Sequence, residues 1–229
     1  MGIIVFGVND ISDIDSDSLN VRKGDVEGAV LKRSETDFVK ASVWIAATTF
    51  LVFSLIARRW PAAAAVVGVI VFAVTYSLKP IRLKSVPMAD SISNGLWVLF
   101  VFLLGYYAND QSFASSPPWN LMLLVVLTVA AIHSLTTLFD LDVDLRAGDK
   151  TIGTTLGLRR TITFALVLFA SGFIFARPAN IFVYAYYSTC CAICIYLLMR
   201  PSEKSIHNLT FATIILAPMV AGSLVIYGF

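Results

Sequence analysis

The sequence predicts an all-α protein, a bundle of helices that crosses a membrane several times. Its 229 residues are 58% hydrophobic and only 14% charged, whereas average usage has about 25% charged residues. The mean hydropathy is +0.80. Apolar runs of about the 20 residues that a helix needs to span a bilayer recur along the chain. The net charge of +2 comes without a concentrated basic face, which argues against a nucleic-acid partner.

These runs predict the helices in order. Residues 1–8 are apolar but supply only about 12 Å of helix at 1.5 Å per residue, against a hydrocarbon core of about 30 Å. They therefore predict a partial N-terminal helix. Seven full membrane helices are predicted after it, all within a single domain over 1–229, at 40–57, 61–78, 91–108, 119–139, 160–176, 180–199 and 208–228.

One face of the membrane is predicted to hold nearly all the charge. When the loops are assigned to alternating sides, every basic residue except Arg58, Arg59 and Arg177 falls on the same side. The positive-inside rule makes that side cytoplasmic, in what we expect to be a prokaryotic cell membrane. Among the acids only Asp110 falls on the other side. Because acids contribute little to orientation, their crowding on one face indicates a chemical role there.

Two acidic clusters begin where apolar segments end. Asp10, Asp13 and Asp17 are spaced at i, i+3 and i+7, so they line one face if the first helix continues through them. Asp140 and Asp144 are one helical turn apart. Carboxylates this close to lipid are costly and mark a functional site by default. Mg²⁺ takes a few protein oxygens and completes its octahedron with phosphate and water, so the clusters predict an enzyme acting on a lipid diphosphate.

Neither cluster is an EF-hand. That calcium loop needs Gly at position six and Glu at position twelve. The residues at those positions are Ser18 and Gly24 in the first cluster, and Leu145 and Thr151 in the second.

A polar stripe is predicted to lead from the membrane to the second cluster. His133, Thr137 and Asp140 follow one another at i, i+4 and i+7, which places them on one helix face. His133 either orients a carboxylate or a substrate, or it packs and forms a hydrogen bond with a neighbouring helix.

A basic segment lies at the cytoplasmic end of another predicted helix. Residues 76–84 contain Tyr76, Lys79, Arg82 and Lys84. Three cations at this place can neutralise the diphosphate oxygens that a metal leaves free. The alternative is that these basic residues serve only to orient the chain in the membrane. Two acidic clusters on the same face favour the functional interpretation.

Together these residues resemble the UbiA-type intramembrane prenyltransferases. The family's NDxxDxxxD motif is matched by Asn9, Asp10, Asp13 and Asp17, and its DxxxD motif with a following Gly-Asp by Asp140, Asp144, Gly148 and Asp149. Its tyrosine-plus-basic motif is similar to residues 76–84. The order agrees along essentially the whole chain. Softer signatures resemble the lycopene elongase branch of carotenoid biosynthesis, at 7–10, 20–23, 90–96, 117–119, 133–134 and 154–157.

The resemblance implies transfer of a prenyl group from a prenyl diphosphate to a lipophilic acceptor. It implies Mg²⁺ held by Asp10, Asp13, Asp17, Asp140 and Asp144. The diphosphate would be bound by Asn9, Tyr76, Lys79, Arg82, Lys84 and Arg146. In the elongase branch the donor is dimethylallyl diphosphate and the acceptor a linear carotene such as lycopene. A quinone ring or an archaeal glycerolipid stays open as the acceptor.

The resemblance also implies a longer N-terminus. The family usually has nine helices, and its first acidic motif ends the second of them. We therefore expect the chain to lack helix one and most of helix two, and the DNA upstream of Met1 to encode about 40 more, mostly apolar, residues. The alternative is a natively short, truncated form.

Two other functional classes fit less well. A CDP-alcohol phosphotransferase motif needs Asp-Gly and Ala-Arg between its aspartates, whereas Asp144 is followed by Leu145. An ion-coupled transporter predicts ionisable residues at mid-membrane, whereas the charges here stop at the interface.

Overall fold

The computed structural model describes residues 1–17, 30–109, 114, 116–176 and 181–227, and within them helices are joined by turns and loops, without a strand. The predicted all-α class is therefore confirmed. The helices in the described residues are α1 (Gly2–Asp17), α2 (Thr36–Ile56), α3 (Trp60–Ser77), α4 (Ala89–Ala108), α5 (Trp119–Thr136), α6 (Leu141–Ala147), α7 (Ile152–Phe175), α8 (Ile181–Met199) and α9 (Glu203–Tyr227).

Six of these helices, α2, α3, α4, α5, α7 and α8, are long and apolar enough to cross a membrane. Their outward surfaces are apolar as well, since Phe38 and Ile56 on α2 are both 75% exposed. Contiguous apolar surface of this kind marks a membrane contact. The chain is an integral multi-pass membrane protein. The seventh predicted span, 208–228, is helical up to residue 227 within α9 but is not among these six.

The chain divides into two compact units, which are described separately. The first comprises Met1–Lys84 and Leu99–Pro117. In it α1, α2 and α3 pack on one another. A Cβ atom added to Gly7 of α1 would lie 2.6 Å from Cγ2 of Val43 on α2. Small residues that allow such close approach are typical of helix contacts within membranes. The absence of a side chain at Gly7 thus lets α1, which carries the acidic residues, pack directly against α2.

The second unit comprises Ser85–Val98 and Pro118–Phe229. Here α5 packs on α7, α7 on α8, and α9 on both α5 and α8. Its core includes Leu135, Ile162, Phe169 and Leu197, all fully buried. A close approach joins α4 to α5, because a Cβ atom on Gly95 would lie 2.4 Å from the carbonyl oxygen of Val126. The prediction of a single domain over 1–229 stays a prediction.

Two helix boundaries differ from the predicted ones around the second acidic cluster. Helix α5 ends at Thr136, where residue 139 was predicted, and turns lead to α6. The predicted stripe of His133, Thr137 and Asp140 is therefore wrong as one continuous helix face. Helix α7 begins at Ile152, ahead of the predicted 160, but Gly157 interrupts it with a φ of 72° and a ψ of 172°. This region of backbone conformation belongs essentially to glycine.

Candidate active site

The first acidic motif lies on α1, in the first unit. The helix Gly2–Asp17 includes Asn9, Asp10, Asp13 and Asp17, so the predicted helical continuation through the carboxylates is confirmed. Helix α1 presents Asn9 and Asp13 one turn apart on the same side. All four side chains are half-buried.

The basic segment that follows α3 folds back on this motif. The Lys84 ammonium donates to Asn9 Oδ1 at 3.0 Å, to Ser12 Oγ at 2.6 Å and to the carboxylate of Asp13. Arg82 adds a second cation, with its Nη2 3.6 Å from Asp13 Oδ1. The Lys84 and Asp13 side chains are 11% and 14% exposed. Two predicted diphosphate-binding cations and one predicted metal ligand therefore lie together.

The contacts of Lys84 indicate that this part of α1 binds a cation. The side-chain oxygens of Asn9, Ser12 and Asp13 converge on one cationic atom, the Lys84 nitrogen. Amide, hydroxyl and carboxylate oxygens are the hard donors that Mg²⁺ prefers, so the donor set fits that ion. Within the described residues no three His, Cys, Asp or Glu side chains form a group able to hold a metal. A metal here would need oxygens from its substrate and from water, as Mg²⁺ sites beside phosphates commonly do.

The other predicted residues of the basic segment are placed differently. Tyr76 is half-buried and its ring stacks on Phe72, with centroids 5.3 Å apart. Lys79 is exposed and lies in the turn that follows Leu78, the residue that caps the end of α3. The structure thus brings Arg82 and Lys84 to the acidic motif, while Lys79 remains a candidate for a bound diphosphate only by its position in the sequence.

The second acidic motif surrounds the short helix α6 in the second unit. Asp140 precedes its first turn, and the backbone N–H of Asp144 donates to the carbonyl oxygen of Asp140 at 2.8 Å. The predicted one-turn spacing is confirmed. Helix α6 ends at Gly148, whose φ of 73° lets the N–H of Asp149 return to the carbonyl oxygen of Asp144 at 2.9 Å. This turn explains the Gly that follows the motif. Arg146 is exposed on α6.

Asp144 has an unusual electrostatic environment. Burial, together with the negative charges of Asp140, Asp149 and Asp90, raises the pKa of its carboxyl to about 7. A hydrogen bond from Thr151 Oγ1 to Asp144 Oδ2, at 3.2 Å, acts in the opposite direction. A carboxyl with such a pKa is stabilised as the anion when a cation binds beside it. This environment suits a metal ligand, and perturbed carboxyls of this kind cluster at functional sites.

One buried carboxylate in the second unit lies outside the predicted set. Asp90, at the start of α4, is 1% exposed and accepts hydrogen bonds from two backbone N–H groups. Its neighbour Ser91 lies with Oγ 3.3 Å from Nδ1 of His133. That contact is the interhelical hydrogen bond expected of His133 as a packing residue. An acid at the edge of an apolar run is the sequence signal that could have identified Asp90.

A cavity of about 500 Å³ lies in the second unit between α5, α8 and α9. Its walls are almost entirely apolar, and hydroxyl groups come from Thr128, Tyr186 and Tyr187. Tyr187 donates to the carbonyl oxygen of Leu124 at 3.0 Å, and its oxygen lies 2.5 Å from Thr128 Oγ1. Pockets of this size and lining take apolar ligands.

Comparisons with known proteins point to one family. The sequence model of the UbiA prenyltransferase family matches residues 1–225. A lycopene elongase/hydratase of Haloferax volcanii is 34% identical over 160 residues, which are 69% of this chain and 50% of that protein. The C(50) beta-cyclic carotenoids biosynthesis protein LbtBC of Dietzia sp. is 29% identical over 175 residues, covering 74% of this chain and 39% of that protein. The chain spans about half the length of these relatives.

Solved structures agree in fold. A UbiA homolog from Archaeoglobus fulgidus bound to DMAPP and Mg²⁺ has a TM-score of 0.56 and 19% identity, over 95% of this chain and 82% of that one. The same homolog bound to GPP and Mg²⁺ has a TM-score of 0.55 and 18% identity, over 99% and 83% of the two chains. At this level of identity the likeness extends to the fold alone.

Proposed function

Because this chain belongs to the UbiA prenyltransferase family, we propose that it transfers a prenyl group from a prenyl diphosphate to a lipophilic acceptor. The observation that carries the proposal is the convergence of Asn9, Asp13 and Lys84. There the Lys84 ammonium, from the family's tyrosine-plus-basic motif, contacts Asn9 and Asp13 of the first acidic motif in the last turns of α1.

Each group has a distinct part in this proposal. Mg²⁺, when held by Asp10, Asp13, Asp17, Asp140 and Asp144, would neutralise the diphosphate as it leaves. Lys84 and Arg82 donate hydrogen bonds to the oxygens on which negative charge develops. Asn9, Tyr76, Lys79 and Arg146 complete the proposed diphosphate contacts. Apolar walls then keep water from the allylic carbocation, and aromatic rings such as those of Tyr76, Trp97 and Phe139 stabilise its charge.

The acceptor is proposed to be a linear carotene such as lycopene, with dimethylallyl diphosphate as the donor. Similarity to a lycopene elongase/hydratase over 69% of this chain supports this choice. The apolar cavity between α5, α8 and α9 supports a hydrocarbon acceptor more generally. A quinone ring and an archaeal glycerolipid are the other acceptors that the test must include. We propose that the acidic motifs face the cytoplasm of a prokaryotic cell.

The test is direct. Membranes containing the 229-residue chain are incubated with Mg²⁺, labelled dimethylallyl or geranyl diphosphate, and lycopene, a quinone precursor or a glycerolipid, and the lipid products are separated. We expect label in a lengthened carotene, and none when Mg²⁺ is removed or when Asp13 is changed to Asn. Label only in the quinone or glycerolipid fraction would contradict the carotene acceptor. The absence of labelled lipid from every mixture would contradict prenyl transfer.

A further inference from the structure

A buried carboxylate that the proposed reaction does not use lies at the start of α4. Asp90 is 1% exposed, and burying a carboxylate is costly unless its oxygens are hydrogen-bonded. Oδ1 accepts from the N–H of Ser91 at 2.6 Å, and Oδ2 accepts from the N–H of Ile152 at 2.8 Å. Both oxygens are therefore engaged, and one of them reaches a residue 62 positions away along the chain.

That distant residue is the first of helix α7. The N–H groups of a first helical turn have no partner within the helix and carry a partial positive charge, so a carboxylate there holds the helix start in place. Thr151 precedes Ile152 and caps the same helix, accepting from the N–H of Thr154 at 3.3 Å. Its hydroxyl also donates to Asp144 Oδ2 at 3.2 Å. A bond that fixes Ile152 therefore also fixes the donor that orients Asp144.

The start of α7 also packs closely against the residue that follows α5. A Cβ atom on Gly153 would lie 2.9 Å from Oγ1 and 3.0 Å from the carbonyl oxygen of Thr137. Thr137 is the first residue after α5, and from there the chain turns into the second acidic motif. Helix α7 is thus held by α4 on one side and by the end of α5 on another.

We propose that Asp90 is a positioning residue for the second acidic motif. It holds the N-terminus of α7 so that Thr151 keeps the Asp144 carboxylate oriented for a cation. The inference rests on the proposed function, in which Asp144 is a metal ligand. Removing an outer partner of a metal ligand typically costs about 10- to 100-fold in metal affinity, whereas a merely structural cap would leave that affinity unchanged.

The first measurement is Mn²⁺ binding by electron paramagnetic resonance, with inorganic pyrophosphate present and the purified 229-residue chain in detergent. Asp90→Asn keeps the shape but replaces one acceptor oxygen with an NH₂ group, so one of the two N–H groups loses its partner. We expect Mn²⁺ affinity to fall about 10-fold. The matched control is Ser93→Ala, since Ser93 is also buried in α4 and, among the described residues, its hydroxyl donates within that helix, to the carbonyl oxygens of Ala89 and Asp90. Unchanged affinity in Asp90→Asn would overturn the inference.

A double-mutant cycle tests the route through Thr151. Thr151→Val removes the hydroxyl, and we expect about the same 10-fold loss, whereas Thr151→Ser should bind like the wild type. Because the two residues act in series, Asp90→Asn combined with Thr151→Val should also lose about 10-fold. An additive loss of about 100-fold, or wild-type affinity in Thr151→Val, would overturn the inference. The two Thr151 variants test the inference even if Asp90→Asn does not fold.

Prenyl transfer is assayed separately on the same samples. A wild-type chain that binds Mn²⁺ with the expected coupling but transfers no prenyl group would support the positioning role and contradict the proposed function. Full prenyl transfer by the wild type, with unaltered Mn²⁺ binding in Asp90→Asn and Thr151→Val, would support the proposed function and contradict the positioning role. A wild-type chain that binds no Mn²⁺ would overturn the inference.

Discussion

Lys84 is the residue around which the first acidic motif is organised. Its ammonium has three hydrogens, and three oxygen atoms, on Asn9, Ser12 and Asp13, accept from it. A largely buried charge pair of this kind is strongly disturbed when one partner is removed. The same nitrogen that is proposed to stabilise a diphosphate thus occupies Oδ1 of Asp13, a residue proposed to bind the metal.

Replacing Lys84 should move two measurements in opposite directions. In Lys84→Met no ammonium competes with the metal for the carboxylate of Asp13, so we expect tighter Mn²⁺ binding in the absence of diphosphate. The kcat/KM for prenyl transfer should fall about 10²- to 10³-fold, the usual cost of losing one donor to a developing anion. The control is Lys40→Met, whose ammonium is exposed and pairs with Asp37. Weaker Mn²⁺ binding in Lys84→Met would show that the lysine does not compete with the metal.

The second motif allows a comparison within one turn of α6. Asp140→Ala and Asp144→Ala should each lower prenyl transfer by orders of magnitude at saturating Mg²⁺, because each removes a proposed metal ligand. Asp10→Ala and Asp13→Ala should do the same. Asp142→Ala is the matched control, since Asp142 lies between the two ligands and is exposed. Turnover is measured in membranes at equal amounts of inserted protein. Wild-type rates in the Asp140 and Asp144 variants would refute a role for the second motif.

At the scale of the helix, the contact of α1 with α2 depends on the absence of a side chain at position 7. A Cβ atom there would lie 2.6 Å from Val43 Cγ2 and 3.3 Å from Val39 Cγ1. Overpacking of this kind typically costs about 1–3 kcal/mol. The acidic motif lies on the same helix, so the contact also sets where Asn9 and Asp13 meet Lys84.

Gly7→Ala should therefore lower the thermal unfolding temperature in detergent and reduce prenyl transfer. Adding Val43→Ala should restore much of both, because it removes the methyl group that clashes. Gly105→Ala is the control: that position faces open space, and alanine in a helix is favoured over glycine by about 1 kcal/mol. An unfolding temperature for Gly7→Ala at or above that of Gly105→Ala would mean that α1 and α2 do not meet as described.

For the whole molecule, the distribution of charge predicts how the chain crosses the membrane. The positive-inside rule places the residues at 17, 84, 149 and 204 on the cytoplasmic face and residue 110 opposite; position 110 lies outside the described residues. Single cysteines at these positions, in a chain without Cys190, Cys191 and Cys194, should be labelled from the predicted sides by a membrane-impermeant reagent. Labelling of positions 84 and 149 from opposite faces would end the idea of a shared site.

How much of this the sequence predicted depends on the range of the interactions. Helix α1 and the spacing of its carboxylates follow from local periodicity, and they were predicted. The end of α5 at Thr136 and the break at Gly157 were not, because an apolar run does not reveal backbone conformation. Asp90 was not predicted as a site residue, because its partner is a backbone N–H 62 residues away; in the sequence, only its place at the edge of an apolar run marks it. Lys84 and Asn9 are 75 residues apart. The sequence predicted that both belong to the diphosphate site, but it did not predict their hydrogen bond.

The ammonium of Lys84 also acts as a tethered counter-ion. Without metal it cancels the charge of the largely buried Asp13 side chain, so the metal-free chain avoids the cost of a buried, unpaired carboxylate. If a metal binds to Asp13 as proposed, it displaces the ammonium, and a bound diphosphate then gives the ammonium a new anion. Metal and diphosphate should then each favour the binding of the other, by the same factor in both directions. In this proposal Lys84 couples metal binding to diphosphate binding, because its ammonium exchanges the Asp13 carboxylate for the diphosphate.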